Sequence, residues 1–424
     1  GAGALTIAGS VAGNASTGSF TLGGTSTALN TIGTITGTGV SVVKDGSGLW
    51  RMTAASKGFG GALTVRNGTL QVANAGGIGS TVAIGDASAG ATGAAALLLE
   101  ESVAASSSFD VAASAGTQAA LIGGANTSGT SSFGSGEIRM SRGVALVAAT
   151  GGAVDFATTW AGATSGSPAT QNVTIGAAGY AGRVVLTNSG TLSTSGAVAV
   201  DYGTAVLGGE TTVTSAGTLT TASGATLAGT GFVTGAIGGA GLVSPGNSPG
   251  IFTAGSLDPS AGTDFVFEIT GSAPDFTNAA ASINDVLRLT DATSPFASAL
   301  GAGNVVNVLF HLSSGTAPVT QGTYTGGFFT DLNTDFSASI TSGSFAYWVL
   351  GAYGTGGDQQ QFAVGPSGSL VTYSRLGAFD PSLSVQRSVV PQTSTVTGQI
   401  TQFVVVPEPA ANALAGIGMA CAGF

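Results

Sequence analysis

Gly246-Asn247-Ser248-Pro249-Gly250 has the G-x-S-x-G spacing that puts a serine nucleophile on a strained strand-to-helix turn in serine hydrolases. That chemistry needs the backbone N–H after the serine for half of an oxyanion hole. Here the residue is Pro249, which has no N–H. It also needs a base, and the chain has one histidine, His311, in the alternating run NVVNVLFHLSSG with no Asp beside it. The surrounding LVSPGNSPGIF repeats Ser-Pro-Gly, and Pro followed by Gly presets consecutive tight turns. The turn reading is the better one, and no catalytic residue is assigned.

Paired carboxylates are the next chemistry to test. The 9 acidic residues before position 251 are Asp45, Asp86, Glu100, Glu101, Asp110, Glu137, Asp155, Asp201 and Glu210, scattered along the chain. Glycan cleavage needs several acids converging on one face. Glu100-Glu101 is the only adjacent pair, and neighbours on a strand point to opposite faces. Asp264 and Glu268 in TDFVFEIT can share a face, with no Lys or Arg near them in sequence. Solvated edge charges that discourage sheet pairing are the simpler expectation. One His and one Cys far apart cannot make a zinc site. Asp331, Asn333 and Asp335 form a calcium candidate, D-x-N-x-D, but the sixth-place Gly and distal Glu of an EF-hand loop are absent. An Asx turn explains it as well. Trp50, Trp160 and Trp348 can stack on sugars, and Tyr347-Trp348 beside Phe345 is a candidate carbohydrate or subunit contact. No cofactor is expected.

The composition asks for strands. Of 424 residues only 7% are charged, 43% are hydrophobic and 72 are Gly, with no G-X-Y period. Small and β-branched residues suit flat strands, and helices would need more Leu, Glu, Lys and Arg. A net charge of -10 and only 10 basic residues argue against nucleic acid as a partner. The lone Cys421 excludes an internal disulfide framework. The sequence has neither an initiator Met nor a signal peptide, as expected of a processed chain.

Short runs such as ALTIAGS, GSFTLGG and GRVVLTNSGTLSTSGAVAV recur, each closed by Gly, Asn or Ser. Gly-Thr-Leu returns at Gly68, Gly190 and Gly217, and Gly-Ala-Thr-Leu at Gly224. Such imperfect self-similarity marks a solenoid. With coils of about 20–25 residues spaced about 4.8 Å apart, the first 250 residues would make a rod of about 50–60 Å. Phe content then rises: 6 of 20 lie in the first 250 residues and 14 in the rest. Phe-rich runs such as DFVFEIT, GGFFTDL and SFAYWVLGAY predict a thicker core or a contact surface. The expected organisation is a β-helix over 1–255, a Phe-rich β domain or β-helix continuation over 256–400, and a tail over 401–424.

VVKDGSGLWRMTAASKGFGGALTVRNGTLQVAN resembles the autotransporter-associated β-strand repeat through Lys44, Gly46, Gly48-Leu49-Trp50, Phe59-Gly60-Gly61, Val65 and Asn67 to Val72. LAGTGFVTG followed by LVSPGNSPGIF is similar to the terminal rungs of such passengers. The resemblance covers about a quarter of the chain and implies a right-handed parallel β-helix displayed outside a Gram-negative-type cell. No C-terminal membrane barrel accompanies it. VVPEPAANALAGIGMACAGF resembles the PEP-CTERM sorting signal, with the motif at Pro407, Glu408 and Pro409 and an apolar segment from Ala410 to Phe424; the usual Arg cluster after it is missing. Those fifteen residues as a helix would span about 22 Å, short of the ~30 Å hydrocarbon core. Phe403 to Val406 would lengthen it, although Pro407 and Pro409 break helices.

Together these readings predict an all-β protein of structural character, not an enzyme: secreted or surface-bound, assembling with itself into a filament or matrix. The tail would tether it transiently to the membrane during sorting and then dock on another copy. Phe403, Leu414, Ile417, Met419, Phe424, Tyr347 and Trp348 are the assembly candidates. A monomeric adhesin that binds extracellular polysaccharide, and a β-helix polysaccharide lyase or hydrolase, are the alternatives. Asn14-Ala15-Ser16 and Asn126-Thr127-Ser128 permit glycosylation.

Overall fold

The computed structural model describes residues 3–13, 18–55, 58–86, 94–113, 119–187, 191–246, 249–270, 282–291, 304, 306–312, 322–330, 345–350, 359–367, 370–375, 385–393 and 399–407. The chain divides into two compact units. The first comprises Gly1–Ser244, Thr253–Thr263 and Phe296–Ala299. The second comprises Pro245–Phe252, Asp264–Pro295 and Leu300–Phe424. No α-helix occurs among the described residues; the one helical turn is the 3-10 segment Ala75–Gly77.

The first unit is a parallel β-helix. The chain visits three ladders in turn, and each strand pairs in parallel with its counterparts in the coils before and after. The first ladder climbs from Thr6–Ile7 through Leu49–Met52, Ala95–Leu99 and Val144–Ala148 to Leu219–Thr221. The second runs from Ala104–Ala105 to Thr226–Gly229. The third runs from Gly18–Leu22 to Thr159–Ala161. Backbone hydrogen bonds between coils of this unit join residues 17 to 34 apart, a wider spread than the coils of about 20–25 residues expected from the self-similar runs.

Alternation explains the coil. In Glu137–Met140 and Ala153–Phe156 every second residue is buried. Register then stacks like on like: Trp50, Leu70, Leu97, Ile122, Leu146, Ile175 and Val200 follow one another up the first ladder, all buried. The bulk that fills the axis is aromatic in mid-unit. Phe133 stacks on Phe156 with centroids 4.8 Å apart and planes 3° apart, and takes Phe109 edge-on at 5.3 Å. Phe133→Ala removes the middle ring of the three, and its expected cost is about 3–5 kcal/mol, read from the urea midpoint. A loss below about 1 kcal/mol would mean that the coil repacks around the gap.

Two strands, Ala95–Leu99 and Val144–Ala148, are buried on both faces. Their outward residues Leu98, Ala145 and Val147 pack with Leu121, Ala177 and Tyr180. The Ala177–Tyr180 turn, closed by Tyr180 N–H donating to the Ala177 carbonyl at 2.8 Å, folds over them.

The second unit combines two pairing modes. Asp264–Ile269, Val306–Leu312 and Phe345–Leu350 run parallel, as do Val286–Leu289 and Gly322–Thr330. From Phe345–Leu350 the chain turns antiparallel through Gln359–Ser367, Leu370–Arg375, Val385–Thr393 and Gln399–Pro407. The last of these also pairs antiparallel with Gly322–Thr330. Phe265, Phe267 and Phe328 are fully buried here, with ring centroids 5.1 to 6.0 Å apart. For these rings, at least, the Phe enrichment builds core. Phe403 to Val406 do not lengthen a helix. They lie in an extended strand paired on both sides, as a β-branched run favours.

Candidate functional site

The chemistry-bearing side chains of the first unit sit where successive coils meet. Lys44 ends the inward-alternating strand Val40–Lys44 and is fully buried. Its ammonium donates to the carbonyls of Gly46 at 2.6 Å, Asn67 at 2.8 Å and Asp45 at 3.2 Å. Burial pushes it down to about 8, against the pull of the Asp45 carboxylate. Gly68, at φ 70°, leaves the room: a Cβ there would stand 2.7 Å from Nζ. Beside it Trp50 donates its indole N–H to the Gly23 carbonyl at 2.9 Å, and Phe59 is 3% exposed. The residues that carry the repeat resemblance therefore hold coils together.

Charged pairs do the same on the outside. Arg66 lies 2.5 Å from Asp86 and 3.6 Å from Asp45, three residues on the turns after successive strands of the third ladder. Arg139 contacts Asp110, its register partner on the preceding coil, and Glu137 at 3.8 Å. Arg51 grips Glu100 with Nε at 2.5 Å and Nη2 at 2.6 Å. Sequence separation hides these meetings, since the partners are far apart along the chain; the coil period would have aligned Asp45, Arg66 and Asp86. Glu100 and Glu101 sit in a turn, not on a strand as expected, because the chain leaves the ladder at Leu99 and reverses at Ser102, φ 61°. Glu100 turns to Arg51, while Glu101 accepts from the Ser128 hydroxyl at 3.4 Å. A carboxylate clamped by a guanidinium fork is a poor general base, so these pairs suit cohesion better than turnover.

Asn126, a potential glycosylation site in the sequence, is 7% exposed. Its amide donates to the carbonyls of Ser128 and Gly129 at 3.0 Å and of Ala153 at 3.3 Å, which leaves no amide free to carry a glycan. Asn14 lies outside the described residues.

The G-x-S-x-G stretch serves a carboxylate in the second unit. Asp285 is 3% exposed. Its Oδ1 accepts from Gly250 N–H at 2.9 Å and its Oδ2 from Glu268 N–H at 2.7 Å. Its own N–H donates to the Glu268 carbonyl at 2.7 Å. A Cβ on Gly246, φ 90°, would collide with Oδ1. The two glycines of the motif thus make space and a donor for Asp285. Burial pushes that carboxyl up to about 7, against its two backbone hydrogen bonds, with the Glu268 charge adding to the rise. The sequence reading passed over Asp285; no spacing links it to Gly250.

Tyr347 and Trp348 lie in a strand opposite Phe362 and Gln361 on one side and Val308 and Leu309 on the other. Phe403 is opposite Tyr324 and Val389, and Pro407 opposite Val385. Ser248, Asp331, Asn333, Asp335, Glu408, Pro409, Leu414, Ile417, Met419 and Phe424 lie outside the described residues. Among the described residues no cluster of three or more His, Cys, Asp or Glu could hold a metal, and no helix is long and apolar enough to cross a membrane.

Comparison of the chain with protein-family models, with curated proteins and with solved structures found no match.

Proposed function

We propose that this chain is an extracellular structural protein of a Gram-negative-type cell surface or matrix, in which the stacked coil is itself the working part and copies assemble with one another. The observation that carries this reading is the use of ionisable side chains. Lys44, Arg51, Arg66 and Arg139 are each spent on joining one coil to another or closing a coil turn. A polysaccharide lyase would keep such groups free and converging on a groove. The likeness of the Lys44–Val72 stretch to a passenger repeat, and of Pro407-Glu408-Pro409 to a sorting motif, is what supports a location outside the cell. The apolar segment from Ala410 to Phe424 needs burial, and a second copy is the partner it is assigned. Negative-stain micrographs and light scattering of the purified chain test this. Elongated multi-copy assemblies are expected, and they should be lost on deleting Pro407 to Phe424. Uniform single-chain particles at every concentration would overturn the assembly reading. Assemblies that survive the deletion would remove the tail from it.

A further inference from the structure

The carbonyls that Lys44 holds belong to peptide groups, and two of those groups join an Asp or Asn to a glycine. Asp45-Gly46 is the one Asp-Gly of the chain, and Asn67-Gly68 the one Asn-Gly. They lie on successive coils, and the same ammonium donates to the Asp45 carbonyl at 3.2 Å and to the Asn67 carbonyl at 2.8 Å. In each pair the glycine N–H turns back on the preceding side chain. Gly46 N–H donates to Asp45 Oδ1 and Gly68 N–H to Asn67 Oδ1, both at 2.8 Å. The Gly68 N–H is shared with the Ala94 carbonyl at 3.0 Å. Gly68, at φ 70°, has no Cβ to screen its nitrogen, and Asn67 is only half-buried, so water reaches its side chain.

A backbone nitrogen that faces the side-chain carbonyl one residue back is placed to close a five-membered ring on it, because Cγ is one bond from Oδ1. What such a nitrogen lacks is nucleophilicity. It must first shed its proton, and the charge left behind spreads onto the carbonyl oxygen of the same peptide group. For Gly68 that oxygen is the Asn67 carbonyl, where the Lys44 ammonium sits. A cation fixed where negative charge develops lowers the barrier, as an oxyanion hole does. We infer that Asn67 is a self-modifying residue: the Gly68 nitrogen attacks its side-chain amide and converts it to a carboxylate, with Lys44 stabilising the charge on the Asn67 carbonyl. Gly68 N–H gives its proton to solvent, the nitrogen bonds to Cγ, and the Cγ–Nδ2 bond breaks as Nδ2 leaves as ammonia. Water then adds to either carbonyl of the ring and opens it, to aspartate or to isoaspartate. The sum is hydrolysis of one amide, with water as the only co-reactant. Asp45 has the same placement, but a carboxylate is a much poorer electrophile than a carboxamide, so the conversion falls on Asn67. The chemistry does not depend on whether copies of the chain assemble.

The test is to hold the full chain folded at pH 7 for several weeks and follow it by peptide mass spectrometry. Asn67 is expected to gain about 1 Da and to appear as both aspartate and isoaspartate. Asn74, exposed and followed by Ala75, should stay intact. Lys44→Met should slow the conversion by about tenfold or more. A lysine that only stiffened the coil would have the opposite effect, since loosening the coil frees an Asn-Gly pair to react. The unmodified chain gives a second reading should that variant fail to fold. The deprotonated fraction of a peptide nitrogen rises about tenfold per pH unit. Burial sets Lys44 at about 8, so above that pH the ammonium is lost as fast as the nucleophile is gained. The charged groups around it are Asp45 and Arg66, which face each other at 3.6 Å, with Asp86 on the far side of Arg66. The rate in the folded chain should therefore climb to about pH 8 and level off, while in urea it climbs without a break. No conversion of Asn67, equal conversion of Asn74, a Lys44→Met variant that reacts as fast as the unmodified chain or faster, or a folded-chain profile that climbs through pH 8 unbroken would each overturn the proposal.

Discussion

Lys44→Met is expected to destabilise the β-helix by about 3 kcal/mol at pH 7, although methionine matches the length and bulk of the lysine. The methylene stem packs as well either way. The loss comes from the carbonyls of Gly46, Asn67 and Asp45, which the ammonium satisfies and a thioether does not. Leaving a buried acceptor unmade costs about 1–3 kcal/mol, and three are involved. Against this, removing the lysine also removes its desolvation, which a fall in pKa from 10.5 to about 8 puts at about 3 kcal/mol. Three orphaned acceptors outweigh one relieved charge. The same displaced pKa fixes a second signature. A group whose folded pKa is depressed contributes stability that is present above the unfolded value and lost as the pH falls through the folded one. Wild-type stability should therefore rise between about pH 8 and 10.5, the two values of Lys44, and the methionine variant should be flat across that window. Urea unfolding at pH 7, 9 and 10.5 measures both. A variant as stable as wild type at pH 7 would mean that the carbonyls find other donors.

Lys44 also shows which part of the fold can be read along the chain. Period-two alternation, glycine closures and absent helix pattern announce parallel coils, because each coil solves the same local problem of burying one face of a short strand. Trp50 and Phe59 belong to that local layer, and both are buried. The repeated Gly-Thr-Leu was less informative than it looked. The copy at Gly68 opens a strand of the first ladder, while Thr191 and Leu192 from another copy pair instead with Thr212 and Val213. The triplet records how a chain enters a strand and not which ladder the strand joins. What stayed hidden were contacts set by coil length, which varies from coil to coil. Arg66 between Asp45 and Asp86, and Arg139 on Asp110, need the register before they become neighbours. The outward apolar residues Leu98 and Val147 were equally hidden, because the Tyr180 turn that covers them comes more than thirty positions after Val147 along the chain. Gly246 and Gly250 gave the opposite lesson. Their spacing was visible, but its purpose lay in a carboxylate 35 residues beyond Gly250.

Asp285→Asn should abolish the pH dependence that Asp285 gives the second unit. Asp285 is buried with its carboxyl pushed up to about 7, so the folded unit binds a proton that the unfolded chain, near 3.8, has already released. Stability from this group is fully present below the ordinary carboxylate value and is lost as the pH rises through about 7. The second unit should thus be tighter at pH 5 than at pH 8 by about 2.6 kcal/mol, since the part of the displacement below pH 5 lies outside that window. The facing charge is Glu268, whose repulsion acts in the same direction. Asparagine keeps the shape and removes the titration. Its oxygen can still accept from Gly250 N–H or Glu268 N–H, but its amide nitrogen then meets the other N–H donor to donor. At pH 5 that lost bond is expected to cost about 1–3 kcal/mol. At pH 8 the variant should lose less, or gain, because no charge is left to bury. Hydrogen exchange of the amides of Gly250 and Glu268, followed from pH 5 to 8 in both proteins with correction for intrinsic rates, reports on this corner directly. Protection that falls with pH in the wild type and stays level in the variant is the expected pattern. An equal slope in both would assign the pH response to another group and leave Asp285 as a plain hydrogen-bond acceptor.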